Sequence, residues 1–167
     1  MDVDYRDRYA VAACVVFDDW GDAAPAAEHV EFISPIAEYE PGQFYKRELP
    51  CLLAVLQSIV DSLSIIIVDG YVHLDDKGKP GLGAYLYDAL DKAIPVIGVA
   101  KNYFHSATHA LTVTRGDSEK PLYITAAGMS KTVAADRIRH MHGEYRIPTL
   151  LKRVDTLCRQ ATYSEPQ

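Results

Sequence analysis

An α/β fold, with antiparallel hairpin strands first and parallel strands flanked by helices after, is what this sequence predicts. Three observations predict it. Ser64-Ile65-Ile66-Ile67-Val68-Asp69-Gly70 carries four consecutive branched apolar residues, the pattern of a strand buried on both faces in the middle of a mixed or parallel sheet. Ile94 to Ala100 is a second such run, and a helical segment separates the two, so strand, helix and strand form a parallel βαβ unit with a right-handed crossover. Nearer the amino end, Val11 to Phe17 is a compact apolar strand closed by the turn-rich Asp18-Asp19-Trp20-Gly21-Asp22, and Glu28 to Ile36 pairs with it as a hairpin.

The remaining elements follow in order. Asp2 to Tyr5 begins the first strand or forms a short one of its own. Tyr39 to Arg47, with Pro41-Gly42, reads as a loop. From Glu48 to Leu63, Leu49, Leu52, Leu53, Leu56, Ile59, Val60 and Leu63 recur at three and four, an amphipathic helix with Pro50 in its first turn. A polar loop, Asp75 to Gly81, precedes a short helix from Leu82 to Asp91. Leu111 to Arg115 and Leu122 to Thr125 are short strands. Ser130 caps a helix to about Met141, and Pro148 starts a last one through Arg159.

At 167 residues, with 49% apolar and 24% charged residues, the chain reads as a single domain, 1–167, with a full core. No run approaches the roughly 18 apolar residues of a membrane span, and the start lacks a signal pattern, so a cytoplasmic protein without membrane partners is expected. Cys14, Cys51 and Cys158 are far apart in apolar runs, as buried reduced thiols would be. The net charge of −6 argues against a general nucleic-acid binder that works by neutralising phosphate. It does not exclude an enzyme in which a divalent metal supplies the positive charge.

Three carboxylates stand out by position: Asp2 on the first strand, Glu48 at a helix start, and Asp69 at the carboxyl end of the central strand, where open α/β sheets place ligands. If the topology brings them together they repel one another unless a divalent cation joins them, and Mg²⁺ prefers such oxygen ligands. Two ions about 4 Å apart would clamp a phosphodiester. Lys101, ending the neighbouring parallel strand, would add a fixed positive charge. The plainer alternatives are a helix-dipole partner for Glu48, a turn at Asp69-Gly70 and a frayed end at Asp2.

Two other groups carry less. His105, His109, His140 and His142 lack zinc spacing and read as solvated or capping side chains. Gly78-Lys79-Pro80-Gly81-Leu82-Gly83 sits between a strand and a helix, as a phosphate cradle would, but fits neither glycine-rich nucleotide motif. A turn or lid is the better reading.

The order of motifs resembles the endonuclease V family. Asp2-Val3-Asp4-Tyr5 is similar to its first-strand motif, followed by Tyr39-Glu40-Pro41-Gly42, Tyr45-Lys46-Arg47-Glu48, Val68-Asp69-Gly70, Pro95 to Lys101, Pro121 to Thr125 and Tyr145-Arg146-Ile147-Pro148. The resemblance covers nearly the whole chain. It implies a ribonuclease-H-like fold and a Mg²⁺-dependent endonuclease, Mn²⁺ able to substitute, that cuts DNA or RNA at the second phosphodiester 3′ to a deaminated adenine (inosine). It implies Asp2, Glu48 and Asp69 as metal ligands, Lys101 as the active-site lysine, and Tyr39, Pro41, Gly42 and Gly70 as substrate-binding positions.

The departures bear on specificity. The family's strand-separating wedge reads P-Y-I-P-G, whereas Glu38-Tyr39-Glu40-Pro41-Gly42 places two acids at a tip that would meet phosphate. The H-P-R-[RK] expected after V-D-G is replaced by Asp75-Asp76-Lys77-Gly78-Lys79, and a late family histidine falls on Met129. Asp2 lies one residue from the start of the sequence, a position expected to be poorly fixed. The alternative expectation is therefore a nucleic-acid-binding module, non-catalytic or divergent, that keeps the fold but has lost lesion recognition.

Overall fold

A computed structural model describes residues 1–38 and 40–163. In chain order the elements are β1 (Asp2–Tyr5), β2 (Ala10–Val16), β3 (Ala27–Ile33), α1 (Tyr45–Leu56), a 3₁₀ turn (Val60–Ser62), β4 (Ile66–Asp69), α2 (Leu82–Ala89), β5 (Val96–Ala100), β6 (Leu111–Val113), β7 (Leu122–Ala127), α3 (Lys131–His140) and α4 (Thr149–Gln160). The expected hairpin is there: β2 pairs antiparallel with β3, from Ala10 opposite Ile33 to Val16 opposite Ala27. On its other edge β2 takes β1, with Asp2 opposite Ala13. A second sheet runs β4-β5-β7-β6, in which β4 and β5 are parallel and β7 and β6 return antiparallel. Parallel pairing thus extends only to the βαβ unit read from the sequence.

Among the described residues the two ladders meet at one backbone bond, in which the Met1 nitrogen donates to the Ile67 carbonyl at 2.8 Å. Asp2 is therefore not loose. It is paired to Ala13, and the residue before it is anchored to the central strand.

Strand alternation sorts the core into two layers. Ile66, Val68 and Val96 face α1 and α2, packing with Leu52, Val55, Leu56 and Leu86. Ile67, Ile97 and Val99 face α3 and α4, packing with Ala134, Ile138 and Leu150. Val154 and Cys158 carry α4 onward over Val11 and Ala13 of β2. Each fully buried Leu, Val or Ile contributes about 1.5–3 kcal/mol. Helices α1 and α2 are further joined by Tyr45 and Tyr85, whose rings stack 3.5 Å apart. All three cysteines are free and buried. No helix among the described residues is long and apolar enough to cross a membrane.

The helix expected over Glu48 to Leu63 is shorter and earlier. It begins at Tyr45, which puts Glu48 in its first turn and Pro50 inside it, and it ends at Leu56. Beyond that, bonds such as Ile59 to Leu56 and Leu63 to Val60 are of the tighter i to i+3 kind. Ile59, Val60 and Leu63 still pack against the core, so the apolar spacing continued while the helix did not.

Candidate active site

Asp69 closes β4 and Lys101 immediately follows β5, so parallel pairing of the two strands sets the side chains beside each other. The Lys101 ammonium donates to Asp69 Oδ2 at 2.6 Å. Burial works against the charge of Lys101, but the hydrogen bond and charge of Asp69 outweigh it and hold the ammonium above its ordinary value. Asp2 belongs to the same place: with Asp69, Lys101, Val99, Ile147 and Leu151 it lines a cavity of about 20 Å³, room for about one water. Burial first, and then the charge of Asp69, push the Asp2 carboxyl above the usual carboxylate range. One of its oxygens accepts from the Val3 amide.

Glu48 reaches this group from α1. Burial, followed by the charges of Asp2 and Asp69, pushes its carboxyl up to about 8. Around it stand Tyr5, whose hydroxyl is held above its ordinary value by burial and then by Glu48, and Arg47, whose guanidinium lies over the Tyr5 ring at 3.9 Å. The structure therefore brings all four sequence-derived candidates within electrostatic reach, with three carboxylates against one lysine. Among the described residues, no three His, Cys, Asp or Glu side chains are close enough together to form a ready cage for an ion. In kind, an all-oxygen, half-buried donor set in which Asp2 and Glu48 resist ionisation is what a hard divalent cation would relieve.

Gly70 follows Asp69 with φ +131°, a conformation that favours glycine. Its carbonyl passes so close to β5 that a Cβ on Gly98 would lie 2.6 Å from it and 2.7 Å from Thr125 Oγ1. Thr125 in turn accepts the buried Val72 amide at 2.8 Å. The loop carrying Asp69 away from the sheet is thus pinned to β5 and β7.

Of the other expected substrate positions, Pro41 and Gly42 are exposed in a turn where Gly42 has φ +77°. Tyr39 lies outside the described residues. Glu38 is exposed, while Glu40 accepts from Gln43 and from Lys46 at 2.9 Å, so one of the two acids at this tip has a cation of its own. Met129 packs against the α3 side of the core.

The glycine-rich loop is no phosphate cradle. The Gly81 amide donates to the Val72 carbonyl and the Gly83 amide to that of Tyr71. A Cβ on Gly81 would fall 2.6 Å from the Tyr71 carbonyl oxygen, so these glycines permit close backbone packing. Of the four candidate histidines, His109 engages Asp76, His140 the Asp136 carbonyl and His142 Thr149, while the His105 ring lies against Phe104.

Two features were given no role from the sequence, Arg146 standing there only within the Tyr145-Arg146-Ile147-Pro148 motif. Arg146 donates to the carbonyls of Lys101 and Pro121, fixing the backbone under the lysine. An aromatic group also adjoins the site, in which the Tyr71 hydroxyl bridges the Asn102 carbonyl and the Phe104 amide, and Tyr103 is exposed. The run Asn102-Tyr103-Phe104 directly after Lys101 was the available signal.

Comparison with known proteins places the chain in a family. Endonuclease V of Streptomyces coelicolor is 32% identical over 183 residues, covering 96% of this chain and 77% of that protein. The crystal structure of the Streptomyces avermitilis endonuclease V superposes with a TM-score of 0.69 at 26% identity, covering 95% of this chain and 78% of that one. A Ciona intestinalis endonuclease V, crystallised with a 24mer DNA containing an inosine followed by a ribo-adenosine, shares the fold with a TM-score of 0.74 at 18% identity, covering 95% of this chain and 82% of that one. The endonuclease V family profile matches residues 1–137, and the chain belongs to that family.

Proposed function

We propose that this protein is a divalent-metal-dependent endonuclease that hydrolyses a phosphodiester in DNA or RNA near inosine. The observation that carries the reading is the pairing of Asp69 with Lys101 at the ends of two parallel strands, flanked by two carboxyls, Asp2 and Glu48, that burial and mutual repulsion hold above their ordinary values. Family membership makes strand cleavage the reaction, and the Ciona relative's inosine-containing DNA supports the substrate class.

Asp2, Glu48 and Asp69 would hold Mg²⁺, or Mn²⁺ in its place. The bound ion supplies Lewis-acid charge to the scissile phosphate and lowers the pKa of water. Because the carboxylates do not form a ready cage, binding would draw them inward and displace the proton that Glu48 keeps at neutral pH, while relieving the burial and repulsion that raise Asp2. Asp69 is oriented by the Lys101 ammonium, and Lys101 presents the remaining positive charge to a non-bridging phosphate oxygen. Arg146 keeps Lys101 in place through its carbonyl. Water adds to phosphorus as the phosphorus–oxygen bond to the 3′ oxygen breaks, and that oxygen takes up a proton.

The test is nicking of labelled inosine-containing single- and double-stranded DNA and RNA with Mg²⁺ or Mn²⁺. Cleavage that falls by at least about 100-fold in Asp69→Ala supports the reading. No cleavage of any of these substrates, or an Asp69→Ala variant as active as the parent, overturns it.

A second reading, a divergent module that binds nucleic acid without lesion recognition, is favoured by the exposed Glu38 and by Met129, which packs against the core. It expects equal binding of inosine- and adenosine-containing strands. A clear preference for inosine excludes it.

A further inference from the structure

The sheet edge that carries Asp69 and Lys101 continues past them. β7 begins there, with Tyr123 opposite Ala100 of β5, so Tyr123 stands one strand over from the residue before Lys101. Side-chain alternation sends Leu122 and Ile124 into the core under α3. Tyr123 therefore lies on the face of Thr125, the face crossed by the loop from Gly70 to Val72. The turn after Lys101 sets Tyr103 beside it, with ring centroids 5.6 Å apart and planes inclined at 52°.

Tyr103 is 59% exposed, so its ring covers little of the core. The turn that carries it is nonetheless braced on both sides. The Tyr71 hydroxyl donates to the Asn102 carbonyl at 2.8 Å and accepts from the Phe104 amide at 3.1 Å. A ring held open by a fixed backbone loses little freedom when something covers it. Charge gives less hold here. The Arg146 guanidinium is bonded to the Lys101 and Pro121 carbonyls, and its Nε is buried without a partner. Lys120 is exposed next to Pro121, but Asp117 and Glu119 are exposed beside it. Along this part of an acidic chain, phosphate neutralisation is weak, whereas a ring face holds a base without needing charge.

We propose that Tyr103 and Tyr123 form an open stacking platform for a base flanking the scissile phosphodiester, met by the nucleic-acid strand as it passes the Asp69–Lys101 pair. The path of the strand is taken from the nuclease reading above. An open face has no enclosing donors and acceptors to tell bases apart, so the platform grips a neighbouring base of any identity and does not read inosine.

The test is fluorescence anisotropy in Ca²⁺ with a labelled single-stranded DNA carrying one inosine. The same strand is also made with a single abasic residue, moved one nucleotide at a time along both sides of the inosine. At one or two adjacent positions the abasic residue is expected to weaken binding by the parent about fivefold or more, while exchange among the ordinary bases there changes little. Tyr103→Ala should bind the intact strand about fivefold or more weakly, with the same salt dependence, and should no longer distinguish the abasic strand. Tyr103→Trp should restore both. Tyr163→Ala removes a half-exposed ring that packs on Tyr9 and Phe32, and it should bind as the parent does. No binding of any strand, a parent indifferent to every abasic position, or a Tyr103→Ala loss equal for intact and abasic strands overturns the platform. Nicking of the intact strand is read in parallel with Mg²⁺. The coupled losses without nicking would support the platform and count against the nuclease reading alone. Nicking without the coupled losses would count against the platform alone.

Discussion

Glu48 is the residue whose chemistry depends most on its surroundings. Its carboxyl titrates ordinarily near 4.5 and here near 8, because it is buried and faces Asp2 and Asp69. The folded state therefore holds a proton that the unfolded chain releases more readily. The stability this contributes is complete below about pH 4.5 and is lost as pH rises through 8, and the raised Asp2 acts in the same direction. Without divalent ions, thermal melts should show the midpoint falling between pH 5 and pH 9. Glu48→Gln should flatten that slope, and so should millimolar Mg²⁺ added to the parent. A parent profile flat from pH 5 to 9 without metal would show that Glu48 is not held as described.

At the scale of elements, the loop after β4 has to leave the sheet at one angle for Asp69 to meet Lys101. Gly98 makes this possible by letting the Gly70 carbonyl approach β5. Gly98→Ala would set a methyl against the Gly70 carbonyl, Thr125 Oγ1 and the Val72 amide, all backbone or buried atoms with little room to give. We expect a loss of about 1–3 kcal/mol by denaturant unfolding, together with a fall in nicking larger than that loss of folded protein explains. A variant as stable as the parent would mean the loop is free to shift. Gly98 was visible in the sequence only as an interruption of an apolar strand. Nothing local in Pro95-Val96-Ile97-Gly98-Val99 says which backbone passes above it.

For the whole molecule, the central strands were the most legible part, because the apolar runs through Ile66 to Val68 and Val96 to Ala100 are buried on both faces. Asp69 and Lys101 followed from them, since each stands at the end of its strand. The boundaries of α1 were not legible, because the 3₁₀ turn keeps the spacing of Ile59, Val60 and Leu63. Arg146 was not either, since its partners are carbonyls 45 and 25 residues away, set by tertiary packing. The division into two ladders was likewise beyond composition or periodicity. It depends on how far β1 runs alongside β4, which Met1 decides with one bond.

The charge of the whole chain, −6, sets a further expectation. An acidic protein with three carboxylates at its site should bind a nucleic-acid strand weakly until a divalent ion offsets that charge. In fluorescence anisotropy with an inosine-containing strand, replacing EDTA by Ca²⁺ should tighten binding at least about tenfold. Binding indifferent to the ion would place recognition away from the carboxylates.

The central claim, that Asp2, Glu48 and Asp69 form a metal centre beside Lys101, is tested most directly by crystals soaked in Mn²⁺ and measured at its absorption edge. The account predicts an anomalous peak within coordination distance of Asp2 and Asp69, with Glu48 turned toward it and Lys101 alongside. A Mn²⁺-soaked crystal with no peak there, and the Asp69–Lys101 pair unchanged, would contradict it.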